Sequence, residues 1–116
     1  LYGLDAVTLE KRAKHLLSFF EMEKHADQRM DTFSKGMKQK TLIMSGIIND
    51  PDILFLDEPL SGLDANSVIL VKEMLTRLAA NGKTIFYCSH LMDIVEKISD
   101  RILLINNGNV IADGTF

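Results

Sequence analysis

Apolar residues recur along this chain with two different periods. Ala6, Leu9, Ala13, Leu16, Leu17 and Phe20 fall at helical spacing between charged residues, which predicts an amphipathic helix over about 6–23. His15 and His25 belong to its polar surroundings and read as solvated. A polar turn follows around 27–32. A second helix is predicted over about 35–49, with Met37, Thr41, Met44 and Ile48 on one face, and Asn49-Asp50-Pro51-Asp52 breaks it. The run Ile53-Leu54-Phe55-Leu56 does not alternate and reads as a strand buried on both faces, as in a parallel sheet. A third helix, capped by Asp64 or Asn66, extends to about Ala80 with Val68, Val71, Leu75 and Leu78 inward. Asn81-Gly82 ends it, and residues 84–88 read as another strand. A short helix over about 91–98 precedes strands at 101–106 and 109–112, a hairpin whose Asn107-Gly108 is a strong type I′ turn signal. The pattern predicts an α/β protein with a helical subdomain over 1–50, joined to part of an α/β sheet over 51–116.

The candidate chemistry lies where the predicted strands stop. Ile53-Leu54-Phe55-Leu56 runs directly into Asp57-Glu58-Pro59, and open α/β sheets keep their ligand sites at the carboxyl ends of strands. Adjacent carboxylates repel one another and invite a compensating divalent cation. A solvated acidic turn is the alternative reading. Upstream, Ser34 is a good N-cap for the second helix. The free N–H groups that follow it, the helix dipole and Lys35 would together suit an anion such as phosphate. Gly36 lets a ligand approach the backbone there. An ordinary capped helix with a basic surface fits the same residues. Ser61-Gly62-Leu63-Asp64 follows the acids after Leu60, and its aspartate reads as a helix cap. Ser89-His90 ends the strand at Cys88, so His90 can face the same crevice as Asp57 and Glu58, although a lone histidine also serves structural roles.

Length and charge narrow the field. The 116 residues make one domain's worth of chain, and a net charge of −3 offers no basic field for nucleic acid or anionic lipid. No apolar run approaches a membrane span. Cys88 is the only cysteine, so no internal disulfide can form, in keeping with a reducing compartment; its apolar strand setting predicts an inert core thiol.

In order and spacing these motifs resemble the nucleotide-binding domain of ABC ATPases. Phe33-Ser34-Lys35-Gly36-Met37-Lys38-Gln39-Lys40 is similar to the family signature, in a form resembling that of ABC-2-type exporters. Residues 53–58 resemble its Walker B strand and catalytic glutamate, residues 61–64 its D-loop, and His90 its switch histidine. The resemblance implies an incomplete P-loop NTPase core with a helical subdomain at the N-terminus. It also implies ATP as substrate and Mg²⁺ held by Asp57 through water, with Glu58 polarising the attacking water and His90 on the γ-phosphate. Ser34, Lys35, Gly36 and Met37 would reach ATP on a partner subunit, and Asp64 would couple the two opposed sites. Expected partners are a second nucleotide-binding domain and a membrane permease, with the protein peripheral to the inner face of the cell membrane. Lys35 and Met37 stand where Gly and Gln are commonest, Leu60 where Thr is usual and Ala65 where Pro is usual.

Three elements of the family pattern do not occur in this sequence. No G-x-x-x-x-G-K-[ST] is present, nor the family's adenine aromatic or Q-loop glutamine. The chain therefore resembles a piece cut just after the Q-loop. The family's P-loop strand lies between the strand ending at His90 and that at 101–106, so a gap with unpaired edges is expected there. The isolated chain is expected to be marginal or to self-associate, and not to turn over ATP alone. A non-transport ABC ATPase and a non-catalytic truncated interaction module are the competing readings.

Overall fold

The computed structural model describes residue 3 and residues 5–115. In chain order it contains α1 (Ala6–Phe19), 3-10 turns at Glu23–His25 and Met30–Thr32, α2 (Lys35–Ile47) and β1 (Ile53–Asp57). Then come α3 (Ala65–Ala80), β2 (Thr84–Cys88), α4 (Met92–Ile98), β3 (Ile102–Asn106) and β4 (Asn109–Gly114). Each expected helix and strand is present, and the differences fall at their ends and faces.

α1 starts where Asp5 accepts a 2.7 Å hydrogen bond from the Thr8 N–H. It stops earlier than the pattern predicts because Glu21 turns left-handed, at φ 58°. The Met22 N–H then closes onto the Leu17 carbonyl at 2.8 Å and the Glu21 N–H onto Ser18 at 3.1 Å, a Schellman ending. That reversal puts Met22 in the core beside Phe20. Burying a methionine is worth about 1.5–3 kcal/mol, enough to offset the roughly 1–2 kcal/mol of a left-handed non-glycine. His25 is half-buried, not solvated: its ring meets Phe33 edge-on and its Nδ1 pairs with Gln28.

α2 ends at Ile47, before Asp50 (φ 53°) and Pro51, whose ring disfavours helix in the residue ahead of it. Its core face is rotated from the predicted one: Ile43, Met44 and Ile47 are buried, while Met37, Thr41 and Ile48 are only half-buried. On α3 the cap is Asp64, which accepts from the Ser67 N–H at 3.3 Å; Asn66 instead donates to Glu21. Gly82, at φ 87°, ends α3 in a second Schellman arrangement, with the Lys83 N–H on the Leu78 carbonyl at 3.1 Å.

β1 and β2 pair in parallel from Ile53 opposite Thr84 to Asp57 opposite Cys88. Leu54, Leu56 and Ile85 turn toward α2 and α3 and join one apolar cluster with Leu16, Phe20, Ile43, Ile47, Val71 and Leu75. The other face is bare, which corrects the expectation of burial on both sides. Ile53 and Phe86 are about half exposed, Phe55 is 74% exposed, and Phe55 stacks on Phe86 with ring centroids 4.9 Å apart. Cys88 shares that face by strand alternation and is exposed, so it is not a core thiol. The apolar run says that both faces favour cover, and nothing among the described residues covers this one.

β3 and β4 form a separate antiparallel pair, with no ladder to β2 among the described residues, as the expected gap requires. Asn107 and Gly108 both have positive φ, 50° and 78°, the type I′ geometry predicted for the turn. No helix among the described residues is long and apolar enough to cross a membrane.

Candidate active site

The parallel register brings the ends of β1 and β2 side by side and sets the residues after them against each other. The Glu58 N–H continues the ladder by donating to the Cys88 carbonyl at 2.9 Å. Glu58 itself is left-handed, at φ 47°, and so leaves the strand direction. Its carboxylate Oε1 meets His90 Nδ1 at 2.7 Å. This hydrogen bond, before any other influence, holds the Glu58 carboxyl below its ordinary range. The ionised carboxylate accepts, so Nδ1 carries the proton, and Nε2 has no hydrogen-bond partner among the described residues. Two of the residues picked from the sequence thus meet, although 32 positions separate them.

Asp57 stands at the end of β1 opposite Cys88, exposed and apart from the Glu58–His90 pair. No group of three metal-ligating side chains forms among the described residues. A closed metal cage is therefore not the arrangement. An open carboxylate at a strand end suits Mg²⁺, which keeps several waters and takes its remaining ligands from substrate phosphates.

The N-terminus of α2 forms a second cluster. The Ser34 hydroxyl accepts from the Met37 N–H at 3.2 Å, so the serine is engaged as the helix cap. Lys35 is exposed and lays its stem along the 61–64 loop: a Cβ at Gly62 would meet its Cγ, Cδ and Cε at 3.0 Å. Gly36 approaches the same loop, since a Cβ there would stand 3.1 Å from the Gly62 carbonyl oxygen. Asp64, at the end of the loop, is held below the ordinary carboxylate range by its bond from Ser67. No hydrogen bond joins Ser34, Lys35, Gly36 or Met37 to Glu58 or His90. The loop runs from one cluster to the other.

Sequence reasoning gave no role to Gln39 or Gly62. Gln39 donates from Nε2 to the backbone carbonyls of Glu58, at 3.2 Å, and Pro59, at 2.9 Å. The available signal was helical spacing, for Gln39 lies four residues beyond Lys35 and three beyond Gly36, on one face of α2.

The ABC transporter family profile matches residues 5–61. Over 113 residues the chain is 41% identical to the Nod factor export ATP-binding protein I of Ralstonia nicotianae. In sequence the chain matches ABC transporter ATP-binding proteins. It is also 39% identical over 114 residues to the ABC transporter ATP-binding protein NatA of Bacillus subtilis. A solved ATP-binding subunit of an ABC transporter superposes with a TM-score of 0.92 at 33% identity, over 98% of this chain and 48% of that one. Alignment takes in 97% of this chain and 35% of the Ralstonia protein, and 98% and 46% for the Bacillus one, so the chain spans less than half of each relative.

Proposed function

We propose that this chain is the signature and Walker B portion of an ATP-binding subunit that hydrolyses ATP to drive export through a membrane permease. The observation that carries the reading is the Glu58–His90 pair, built from the ends of two adjacent parallel strands. The Ralstonia relative is named for export, which favours a transporter over a non-transport ATPase. Residues 1–50 would form the helical signature subdomain and 51–116 part of the P-loop core.

Phosphoryl transfer needs in-line positioning and charge neutralisation more than covalent help. Glu58 would orient and polarise the attacking water. As an ionised carboxylate it would act on that water chiefly through its charge. His90, anchored through Nδ1, would offer Nε2 to the γ-phosphate. Asp57 would hold Mg²⁺ through water, and the ion would neutralise phosphate charge. The start of α2, with Ser34, Lys35, Gly36 and Met37, would meet the γ-phosphate of ATP on a second ATP-binding domain, and Asp64 would couple the two sites. The subunit would sit at the inner face of the membrane against its permease. Because the sequence holds no phosphate-cradling loop, this stretch of chain supplies the metal, water and trans-signature groups and does not turn over ATP by itself.

The test is Glu58→Gln in the full-length subunit. Hydrolysis should fall by at least about 100-fold while ATP-driven dimerisation persists. Near-normal turnover would remove Glu58 from the water-activating role.

A further inference from the structure

We propose that Gln39 is a positioning residue for hydrolysis: its amide ties the turn carrying Glu58 to helix α2, so that nucleotide engaged at the start of α2 is felt at Glu58. The inference rests on the role given to Glu58 above. Gln39 is half-buried, and its NH₂ group spends its donors on two successive carbonyls, Glu58 at 3.2 Å and Pro59 at 2.9 Å. The same Glu58 carbonyl also accepts from the Ser61 N–H at 3.1 Å, and the Glu58 N–H is bound to Cys88 at 2.9 Å. The backbone of Glu58 is thus fixed from three directions.

That fixing has a purpose, because Glu58 is a left-handed non-glycine residue. Such a conformation persists only where its surroundings over-determine it. If the turn relaxed toward an ordinary backbone, the carboxylate would swing away from His90. Pro59 and Leu60, directly after it, are buried, so the turn is gripped from below by the core and from the side by Gln39.

The grip extends along α2. Lys35, Gly36 and Gln39 lie on one helix face, and all three touch the 58–62 segment. Gly36 has only 3.1 Å to spare for a Cβ before the Gly62 carbonyl, and the Lys35 stem closes over Gly62. One face of α2 therefore docks at both ends of that segment. A shift of α2 along or about its axis must pull on the Glu58 and Pro59 carbonyls. Gln39 donates to the backbone carbonyls and makes no hydrogen bond to His90 or the Glu58 carboxylate, so it acts through the backbone.

The experiment uses the full-length subunit with its permease and two variants, Gln39→Leu and Gln39→Met, which keep bulk and remove the donors. The expected result is kcat lower by about tenfold, KM for ATP within about twofold, and ATP-driven dimerisation retained. Amide hydrogen exchange should quicken at residues 58–61 and stay unchanged in α3. Unchanged kcat in either variant overturns the proposal. So does a fall in kcat matched by loss of ATP affinity or dimerisation, which would mark a role in binding or folding. Failure of both variants to fold also overturns it, because a positioning bond from a half-buried side chain leaves the core intact. Glu58→Gln, assayed alongside, separates the two claims. If that variant is active, the assigned role of Glu58 falls; if it is dead while Gln39→Leu is fully active, only the role of Gln39 falls.

Discussion

The parallel pair β1–β2 and the hairpin β3–β4 are both two-stranded sheets, yet they are held in opposite ways. β1 and β2 are joined through α3 and have no tight turn between them, so their register depends on packing against α2 and α3. The hairpin is closed by a two-residue turn and by the Arg101–Asp113 ion pair, and every residue of β4 is exposed. The candidate chemistry rides on the pair that depends on the core. Glu58 and His90 meet only because distant parts of the chain pack, whereas none of the candidate site residues lies in the hairpin. Local stability and functional geometry are therefore separable here.

The sharpest way to break that contrast is to damage the core and the hairpin in turn. Ile43, 1% exposed, is shared by the cluster that supports β1. Ile43→Ala should cost about 2–5 kcal/mol in urea unfolding of the 116-residue chain. Ile105 in β3 is 67% exposed, and Ile105→Ala should cost less than about 1 kcal/mol. Equal costs would mean that the hairpin is packed into the same cooperative unit.

How far the sequence could be read follows the same division. The hairpin was legible down to its turn, because Asn107-Gly108 needs no distant partner to adopt positive φ. The existence of α1 to α4 and of β1 and β2 was legible from periodicity. Their faces were less so: the apolar run 53–56 indicates a preference for burial, but which side is covered depends on neighbouring layers. Cys88 is exposed and not in the core for that reason. Glu21 gave no local sign of a left-handed turn, since the turn is fixed by the burial of Met22. The candidate site residues stand out through motif order. Helical spacing places Gln39 on the face of Lys35 and Gly36, but the Glu58–His90 contact and the carbonyls that Gln39 grips depend on register and docking, which no spacing encodes.

The bare side of β1–β2 sharpens the comparison at a smaller scale. Phe55 and Phe86 stack there in the open, the kind of apolar patch that drives association. Sedimentation of the isolated chain should report self-association at micromolar concentration. The double variant Phe55→Lys/Phe86→Lys should remain monomeric, at a cost of about 0.5–1.5 kcal/mol for the lost aromatic pair. Persisting association would assign it to open strand edges instead of this face.

The smallest effect expected is electrostatic, and it tests whether the strand ends stay together in solution. Glu58 is held below its ordinary value of 4.5 chiefly by the hydrogen bond from His90. A carboxyl depressed on folding adds stability above its unfolded pKa and loses it as pH falls through the folded one. The difference in unfolding free energy between the natural chain and His90→Ala should therefore be present above about pH 4.5 and shrink below it. Carboxyl carbon titration by NMR should show Glu58 below the usual range, returning toward it in His90→Ala. In the hairpin, Asp113 is depressed by Arg101 in the same sense, and its titration should be indifferent to Ile43→Ala, whereas that of Glu58 should follow the core. Were both to move together under Ile43→Ala, the two sheets would be one cooperative structure, and the separation of local stability from functional geometry would fail.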